Sequence, residues 1–157
     1  MCERPRILVV DDDESIRKVL AAILKDEGHY VDTAENGKAA IEKTETDFYN
    51  LALIDIRLPD MEGTALLTKM KDTTPKMRKI IMTGYPSLEN ALEALNKGAH
   101  SYLVKPLDID KVIAMVKKQL KIQEREKQYT QEKVTEYIET RIRQLEEEKP
   151  AVSKRPQ

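Results

Sequence analysis

Residues 7–13 read ILVVDDD, a run of four branched apolar residues followed directly by three aspartates. Residues 51–55 read LALID, so a second apolar run also ends in a carboxylate. Each run is too short for a helix and is typical of a buried strand. Neighbouring parallel strands end at the same edge of a sheet, so we expect the aspartates from both tips to lie together. Packed carboxylates raise one another's pKa unless a cation joins them. The two runs therefore predict a hard-cation site that contains a reactive carboxylate.

The order of the remaining elements predicts an α/β fold. Strand-like runs occur at 6–10, 29–34, 51–55, 79–83 and 101–104, and amphipathic helical patterns lie between them and after the last. Five strands that alternate with five helices predict a doubly wound parallel sheet with right-handed connections. Ligands of such sheets bind outside the carboxyl ends of the strands. The polar residues at or just beyond those ends are Asp11, Asp12, Asp55, Thr83 and Lys105.

Composition predicts a soluble protein with one domain and an extension. The chain has 157 residues, of which 40% are apolar and 35% charged, which suits one ordinary domain. The net charge of −1 and the pI near 6.2 give no general case for binding nucleic acid or a membrane surface. No run approaches the roughly 18–20 apolar residues of a membrane span, no signal peptide is evident, and the single Cys2 cannot form an internal disulfide. We therefore expect a cytoplasmic protein.

The composition changes near Leu120, because residues 121–157 are almost half charged and sparse in apolar residues. We place one domain at 1–120, a helical extension at 121–149 and a disordered tail at 150–157. The extension is rich in Glu, Lys, Gln and Arg and contains neither proline nor glycine, which favours a helix continuous with the fifth one.

The extension carries an apolar stripe at helical spacing, formed by Val134, Tyr137, Ile138, Ile142 and Leu145. Such a stripe is not stable in water and predicts a partner helix. The heptad pattern is not sustained for the three or four repeats of a convincing coiled coil. Pairing with a second copy is our preferred interpretation, and docking on another protein or a linker role in a longer chain are the alternatives.

Residues 6 to about 120 resemble the receiver domain of two-component response regulators, whose (βα)5 fold is flavodoxin-like. The resemblance depends on four motifs in order, namely VVDDD at 9–13, Asp55 with Leu58-Pro59 and Gly63, MTG at 82–84, and YLVKP at 102–106. It covers about three-quarters of the chain and none of the extension. It implies a phosphorylation-controlled signalling module whose output is protein–protein association.

The resemblance implies that Asp55 is the phosphoacceptor, phosphorylated by a histidine kinase or a phosphotransfer protein. It also implies a Mg²⁺ site formed by Asp11, Asp12, Asp55 and the backbone carbonyl of Arg57. Mg²⁺ retains waters and usually takes one or two protein carboxylates, so we expect Asp12 to be a direct ligand and Asp11 to act partly through water. Asp13 suits a different role, as the cap of the first helix.

By the same resemblance, Lys105 pairs with the phosphoryl oxygens, or with Asp55 before phosphorylation, and the Lys105–Pro106 bond is cis. Thr83 donates its hydroxyl to a phosphoryl oxygen, Gly84 keeps the approach open, and Tyr102 is the aromatic residue that turns inward when the switch operates.

Four further residues complete the predictions for the domain. Arg57 and Tyr85 are large residues at positions that border the path of the hydrolytic water in the family, so their bulk could slow loss of the phosphoryl group. His29 and His100 lie near strand starts and are expected to be ordinary surface residues.

Two other classes of function compete with the signalling module. An aspartyl-phosphate phosphatase of the haloacid-dehalogenase type needs a second acid two residues after its nucleophile, and Arg57 stands there. We therefore expect no enzymatic activity beyond the domain's own Mg²⁺-dependent phosphorylation and dephosphorylation. A DNA-binding regulator needs a recognition helix, and the extension has no helix-turn-helix pattern. The remaining alternative is a receiver fragment of a larger regulator with a C-terminal output domain.

Overall fold

Five parallel strands form the sheet of the computed structural model, which describes residues 4–153 and the side chains of 4–148. The strands are β1 (Arg6–Val10), β2 (Tyr30–Ala34), β3 (Leu51–Asp55), β4 (Arg78–Thr83) and β5 (Ser101–Val104). Their spatial order is β2-β1-β3-β4-β5. The chain reverses its direction across the sheet between β1 and β3, which places a topological switch point at their carboxyl ends.

Five helices alternate with the strands, as the sequence predicts. They are α1 (Glu14–Asp26), α2 (Gly37–Thr46), α3 (Gly63–Lys69), α4 (Leu88–Asn96) and α5 (Ile109–Ser153). Side chains cap α1, α2, α4 and α5, because a side-chain oxygen of the residue before each helix accepts backbone N–H groups from its first turn; these residues are Asp13, Asn36, Ser87 and Asp108. These caps satisfy amide groups that have no partner within the helix.

The core lies on both faces of the sheet, because alternate residues of the buried strands point to opposite sides. On one face, Leu8 and Val10 pack in a cluster with residues of α2, α3 and α4. On the other, Ile7 and Val9 pack with residues of α1 and α5. All five residues of β3 are buried, as expected of a central parallel strand covered on both faces.

Polar side chains join α5 to the amino ends of the central strands. The Oε1 atom of Gln119 accepts hydrogen bonds from Nε and Nη2 of Arg78 at 3.0 and 2.8 Å. The Nε2 atom of Gln123 donates to the carbonyls of Asn50 and Lys76, both at 2.9 Å. Both glutamines are buried, so these bonds fix the turn of α5 that precedes the extension.

The element boundaries differ slightly from the predicted ones. β2 begins at Tyr30, because the amide of His29 donates to Leu24 and belongs to the turn that ends α1. β4 begins one residue early, because the amide of Arg78 donates to the carbonyl of Asn50.

The fifth helix and the extension are continuous, since α5 runs from Ile109 to Ser153. The chain divides into two units, Met1–Gln123 and Glu124–Gln157, three residues beyond the predicted boundary. The tail predicted to be disordered, 150–157, is helical over its first four residues, because a formed helix propagates more readily than it starts. Residues 154–157 lie outside the described residues. Across residues 4–153, we find no helix long and apolar enough to cross a membrane.

Candidate functional site

Three carboxylates meet at the carboxyl ends of β1 and β3. One oxygen from each of Asp11, Asp12 and Asp55 lies within 4.8 Å of the other two. Asp11 is fully buried and Asp55 largely so, whereas Asp12 is exposed. The parallel register, which pairs Val10 with Ile54, brings the two strand ends together.

Lys105 supplies the positive charge of the cluster from the end of β5. Its Nζ atom lies 2.8 Å from Oδ2 of Asp11 and 3.5 Å from Oδ2 of Asp55. The ammonium therefore contacts both carboxylates, and its contact with Asp11 is shorter than the one with Asp55. The Lys105–Pro106 peptide bond is cis, as the resemblance implied.

The electrostatics of the cluster follow from burial. Burial raises the pKa of the Asp55 carboxyl, and the charge of Asp11 raises it further, while Lys105 acts in the opposite direction. Burial alone would lower the pKa of Lys105, but its hydrogen bond to Asp11 and the charges of both carboxylates raise it. Three anions therefore share one cation, which leaves the cluster short of positive charge.

This donor set fits a magnesium ion. Mg²⁺ takes oxygen ligands, binds through one or two carboxylates and keeps several waters. The exposed Asp12 can be reached by a hydrated ion, and the deficit of positive charge among Asp11, Asp55 and Lys105 favours a divalent cation. The predicted fourth ligand, the carbonyl of Arg57, stays a prediction.

The loop after β3 packs closely around Asp55. The amide of Arg57 donates to Oδ1 of Asp55 at 3.4 Å, and the amide of Gly63 donates to the carbonyl of Ile56 at 2.7 Å. A Cβ atom at Gly63 would collide with the backbone carbonyl of Asp55. The start of α3 therefore requires glycine, and its close approach determines where Asp55 lies.

Thr83 ends β4 at the same edge of the sheet and is fully buried. Its Oγ1 atom accepts the amide N–H of Tyr85 at 3.0 Å, which leaves the hydroxyl hydrogen available to another acceptor. The ring of Tyr85 lies under the guanidinium of Arg57, with 4.9 Å between Cζ and the ring centroid. The two large residues singled out in the sequence are thus in contact.

Tyr102 lies in β5, half-buried against the core cluster that contains Ile81 and Ala94. The predicted inward turn of its ring stays a prediction. Asp13 occupies the position expected of a helix cap, since its Oδ1 atom accepts the amides of Ser15 and Ile16 at 2.8 and 3.3 Å.

Two residues near the site were not singled out in the sequence. Nη1 of Arg17 donates to the carbonyl of Asp11 at 2.7 Å. The carboxylate of Asp60 accepts the amides of Gly37 and Lys38, both at 2.9 Å, and so ties the loop after β3 to the start of α2. The position of Arg17, a basic residue one turn into α1, could have indicated from the sequence that it lies near the acidic cluster. No pattern in the neighbouring sequence indicates the contact of Asp60 with the start of α2.

The two histidines are not ordinary surface residues, so that prediction is wrong. Both are half-buried, and burial lowers the pKa of His29 and, with the nearby charges of Arg78, Lys76 and Lys79, lowers the pKa of His100 to about 4. Nδ1 of His100 accepts the amide of Lys79 at 3.0 Å. Strand starts near a sheet edge pack under neighbouring loops, which the sequence pattern did not reveal.

Comparison with known proteins places the site in a family context. A family model described as response regulator receiver domain matches residues 7–117. The transcriptional regulatory protein ZraR of Escherichia coli K12 is 43% identical over 114 residues, which are 73% of this chain and 26% of that protein. The chain thus spans about a quarter of the length of the curated relatives it matches.

Solved structures share the fold. A CheY-like receiver domain protein from Methanospirillum hungatei is 45% identical with a TM-score of 0.75, over 79% of this chain and 99% of that one. The beryllofluoride-activated NtrC4 receiver domain dimer is 34% identical with a TM-score of 0.70, over 75% of this chain and 98% of that one.

Proposed function

Because this chain belongs to the response regulator receiver domain family of two-component signalling, we propose that Asp55 accepts a phosphoryl group from a histidine kinase or a phosphotransfer protein. The observation that carries the proposal is the acidic cluster. Asp55 ends β3 with its carboxylate within 4.8 Å of those of Asp11 and Asp12 and 3.5 Å from the ammonium of Lys105.

The transfer is a single displacement at phosphorus. An Oδ atom of Asp55 attacks the phosphorus of a phosphohistidine, and the P–O bond forms as the P–N bond breaks. The imidazole leaves with the bonding electron pair and is neutral when its other nitrogen carries a proton. Little covalent chemistry is required of the acceptor, so positioning and charge neutralisation supply most of the catalysis.

The chain's own residues supply that neutralisation in two ways. Asp11, Asp12, Asp55 and the carbonyl of Arg57 would hold Mg²⁺, which when bound neutralises the developing charge on the transferring oxygens. Lys105 moves its ammonium from Asp11 toward the phosphoryl oxygens, because the modified Asp55 carries about two negative charges.

Thr83 and Tyr102 carry the change to the surface. The Thr83 hydroxyl donates to a phosphoryl oxygen, which draws β4 toward Asp55. Tyr102 then turns inward into the space that Thr83 leaves. The support for this coupling is positional, since Thr83 and Tyr102 lie on the adjacent strands β4 and β5.

The test is phosphorylation with acetyl phosphate or a phosphorylated histidine kinase, followed by mass spectrometry. We expect one acid-stable, base-labile group on Asp55, no labelling in Asp55→Ala, and normal labelling in the control Asp13→Asn, which keeps a capping oxygen. A receiver domain is not an enzyme by itself, so labelling should stop at one equivalent without turnover of phosphoesters. A label on serine, threonine or histidine would contradict the assignment.

The proposed output is association with a second copy of the chain through the extension. Five apolar side chains of α5 are between 50% and 70% exposed, and they are Val134, Tyr137, Ile138, Ile142 and Leu145. Their separations of three and four residues place them along one side of the helix. The solved dimer of the NtrC4 receiver domain supports self-pairing as a property available to this fold.

A second candidate output is control of transcription through a longer protein. It is favoured by the name of ZraR, a transcriptional regulatory protein of which this chain matches 26%. In that case the receiver acts on a linked DNA-binding region and does not contact DNA itself. Titration with duplex DNA at low salt tests this, and tight binding by residues 1–157 alone would contradict it.

A further inference from the structure

The β3–α3 loop, residues 56–62, follows the phosphoacceptor directly and leads into α3. Its two ends lie side by side, because Arg57 and Glu62 form an isolated antiparallel bridge. A tight turn forms its tip, where the amide of Leu58 donates to the carbonyl of Met61 at 3.1 Å. The loop is therefore a closed unit, so a contact that fixes its tip also fixes the backbone beside the phosphoacceptor.

Asp60 lies at the tip of this loop and binds the first turn of α2. Its Oδ1 and Oδ2 atoms accept the amides of Gly37 and Lys38, both at 2.9 Å. Amides in the first turn of a helix have no partner within the helix, and a negative charge is favoured there. The same two bonds lower the pKa of the Asp60 carboxyl, so the side chain is charged at neutral pH. Hydrogen bonds to a charged acceptor are stronger than those to a neutral one.

The junction between the loop and α2 is also closely packed. Gly37 is buried, and a Cβ atom at this position would collide with the side chain of Met61. Met61 itself packs against the core cluster that contains Ala40. The loop thus approaches α2 at a residue without a side chain, and apolar contact and hydrogen bonds act at the same place.

The start of α2 is connected to the other half of the acidic cluster. The amide of Asp11 donates to the carbonyl of Ala34 at 3.1 Å, and Ala34 ends β2 three residues before Gly37. The segment between β2 and α2 is therefore bonded to the end of β1 on one side and, through Asp60, to the loop after Asp55 on the other. The predicted metal ligands come from both sides, so their separation depends on this connection.

We propose that Asp60 is a positioning residue for phosphoryl transfer, which holds the β3–α3 loop where the acidic cluster binds Mg²⁺ and does not contact the ion itself. Among the described residues, the carboxylates close enough to share an ion are Asp11, Asp12 and Asp55, and Asp60 lies outside this group. Ligands that are already in position bind more tightly, because binding then does not have to order them. The inference rests on the proposed function, in which Mg²⁺ and Asp55 act together.

The test is a Mg²⁺ titration of the full chain and its variants, followed by backbone amide shifts in NMR. We expect Asp60→Ala to raise the Kd for Mg²⁺ about 3- to 10-fold, the change that corresponds to about one net hydrogen bond. Asp60→Asn retains one carbonyl oxygen for the two amides, so its Kd should lie between those of Asp60→Ala and the wild type. Asp60→Asn also serves if Asp60→Ala does not fold.

Two matched controls separate the position of the loop from charge and from the stability of α2. Glu62→Gln removes one negative charge from the same loop, and the Glu62 side chain caps no helix. Asn36→Ala removes the bond from the amide of Ala39 at 2.8 Å but leaves the loop attached to α2. Asn36→Ala should lower the midpoint of urea unfolding about as much as Asp60→Ala. The Kd for Mg²⁺ should change less than about twofold in both controls.

Hydrogen exchange of the Gly37 and Lys38 amides distinguishes a positioning residue from a metal ligand. Coupling between two sites is reciprocal. If the bonds of Asp60 favour Mg²⁺ binding, bound Mg²⁺ should slow the exchange of these two amides in the wild type by a similar factor, about 3- to 10-fold. A carboxylate drawn to the ion would leave the amides, and their exchange would become faster. The amide of Ala39 is the internal reference.

The proposal is wrong if Asp60→Ala binds Mg²⁺ with the Kd of the wild type, or if Glu62→Gln weakens binding as much as Asp60→Ala. It is equally wrong if Mg²⁺ makes the exchange of the Gly37 amide faster. In each case the assignment of Asp55 stands when acetyl phosphate labels the wild type in the presence of Mg²⁺. A wild type that neither binds Mg²⁺ nor becomes labelled would overturn the proposed function together with this inference.

Discussion

At the scale of single residues, Lys105 shows how burial sets the partner of a charge. Asp11 is the most buried of the three carboxylates and has the shortest contact with the ammonium, 2.8 Å against 3.5 Å for Asp55. A fully buried carboxylate without a cation is costly, so the lysine stabilises Asp11. Asp55 is held by longer contacts, since its Oδ2 atom lies 3.5 Å from the ammonium and its Oδ1 atom accepts the amide of Arg57 at 3.4 Å.

The contact between Arg57 and Tyr85 leads to a prediction about the lifetime of the phosphorylated state. The stacked pair borders Asp55, so either Arg57→Ala or Tyr85→Ala should admit water and speed loss of the phosphoryl group by about 2- to 5-fold, the value of an exposed cation–π contact. The measurement is the decay of labelled protein with Mg²⁺ present.

The control is Tyr30→Ala, which removes another exposed tyrosine stacked on an arginine, far from Asp55. If the fold increase in the decay rate of the double variant equals the product of the two single-variant fold increases, the residues act independently and the contact between them has no role.

His100 leads to a prediction about stability and pH. Its pKa is about 4 in the folded protein and about 6.5 when unfolded, so between these values the unfolded state binds more protons. The free energy of unfolding therefore falls as the pH drops from 6.5 toward 4, and His100 should account for about 1–2 kcal/mol of loss between pH 7 and pH 5.

His100→Asn removes the titration and retains an acceptor for the amide of Lys79. Urea denaturation of both proteins at pH 7 and pH 5 measures the difference. An equal loss of stability in wild type and variant would show that His100 does not titrate in this range.

At the scale of elements, α5 serves two units in different ways. Up to Gln123 its buried glutamines bond to Arg78 of β4 and to the segments that precede β3 and β4. Beyond that point the described side chains are mostly exposed, and helices of this kind are usually stabilised by a partner. Gln123 is therefore the place to shorten the chain without disturbing the receiver.

We predict a dimer that tightens on addition of BeF₃⁻ and Mg²⁺ and weakens when the chain ends at Gln123. An allosteric coupling of about 1–3 kcal/mol would change the self-association constant roughly 5- to 150-fold. Analytical ultracentrifugation of both lengths, with and without BeF₃⁻, is the measurement.

Ile138→Glu tests the same surface in the full chain, with Glu139→Gln as the control on the neighbouring side of the helix. Self-pairing is excluded if the full-length protein stays monomeric at high micromolar concentration in both states. The apolar stripe then belongs to another protein.

At the scale of the whole molecule, the acidic cluster connects metal binding to stability. A cation that binds only the folded state stabilises it by mass action. At a Mg²⁺ concentration ten times its Kd the gain is about 1.4 kcal/mol, or roughly 4–8 °C in the melting temperature of a domain of this size.

We therefore expect Mg²⁺ at millimolar levels to raise the melting temperature of the wild type, and Asp12→Ala or Asp55→Asn to reduce the shift. Asp13→Asn, which lies beside the cluster but caps α1, should respond like the wild type. A melting temperature that does not change up to saturating Mg²⁺ would remove the metal site.

The sequence by itself determined the order of elements and the edge at which the carboxylates meet. These features depend on residues that are neighbours in the chain, so they can be predicted without coordinates. They include the apolar runs, helix caps such as Asp13 and Asn36, and the alternation between strand-like and helical spacing of apolar residues. Parallel strands then bring Asp11 and Asp55 to the same edge by geometry alone.

Only the tertiary structure decided which distant groups touch. Four hydrogen bonds join residues that lie between about 20 and 95 positions apart in the chain. They are the bonds of Lys105 to Asp11, of Asp60 to the start of α2, of Gln123 to Asn50, and of the half-buried His100 to Lys79. Such contacts depend on the packing of whole elements and on the desolvation it causes, which no local pattern contains.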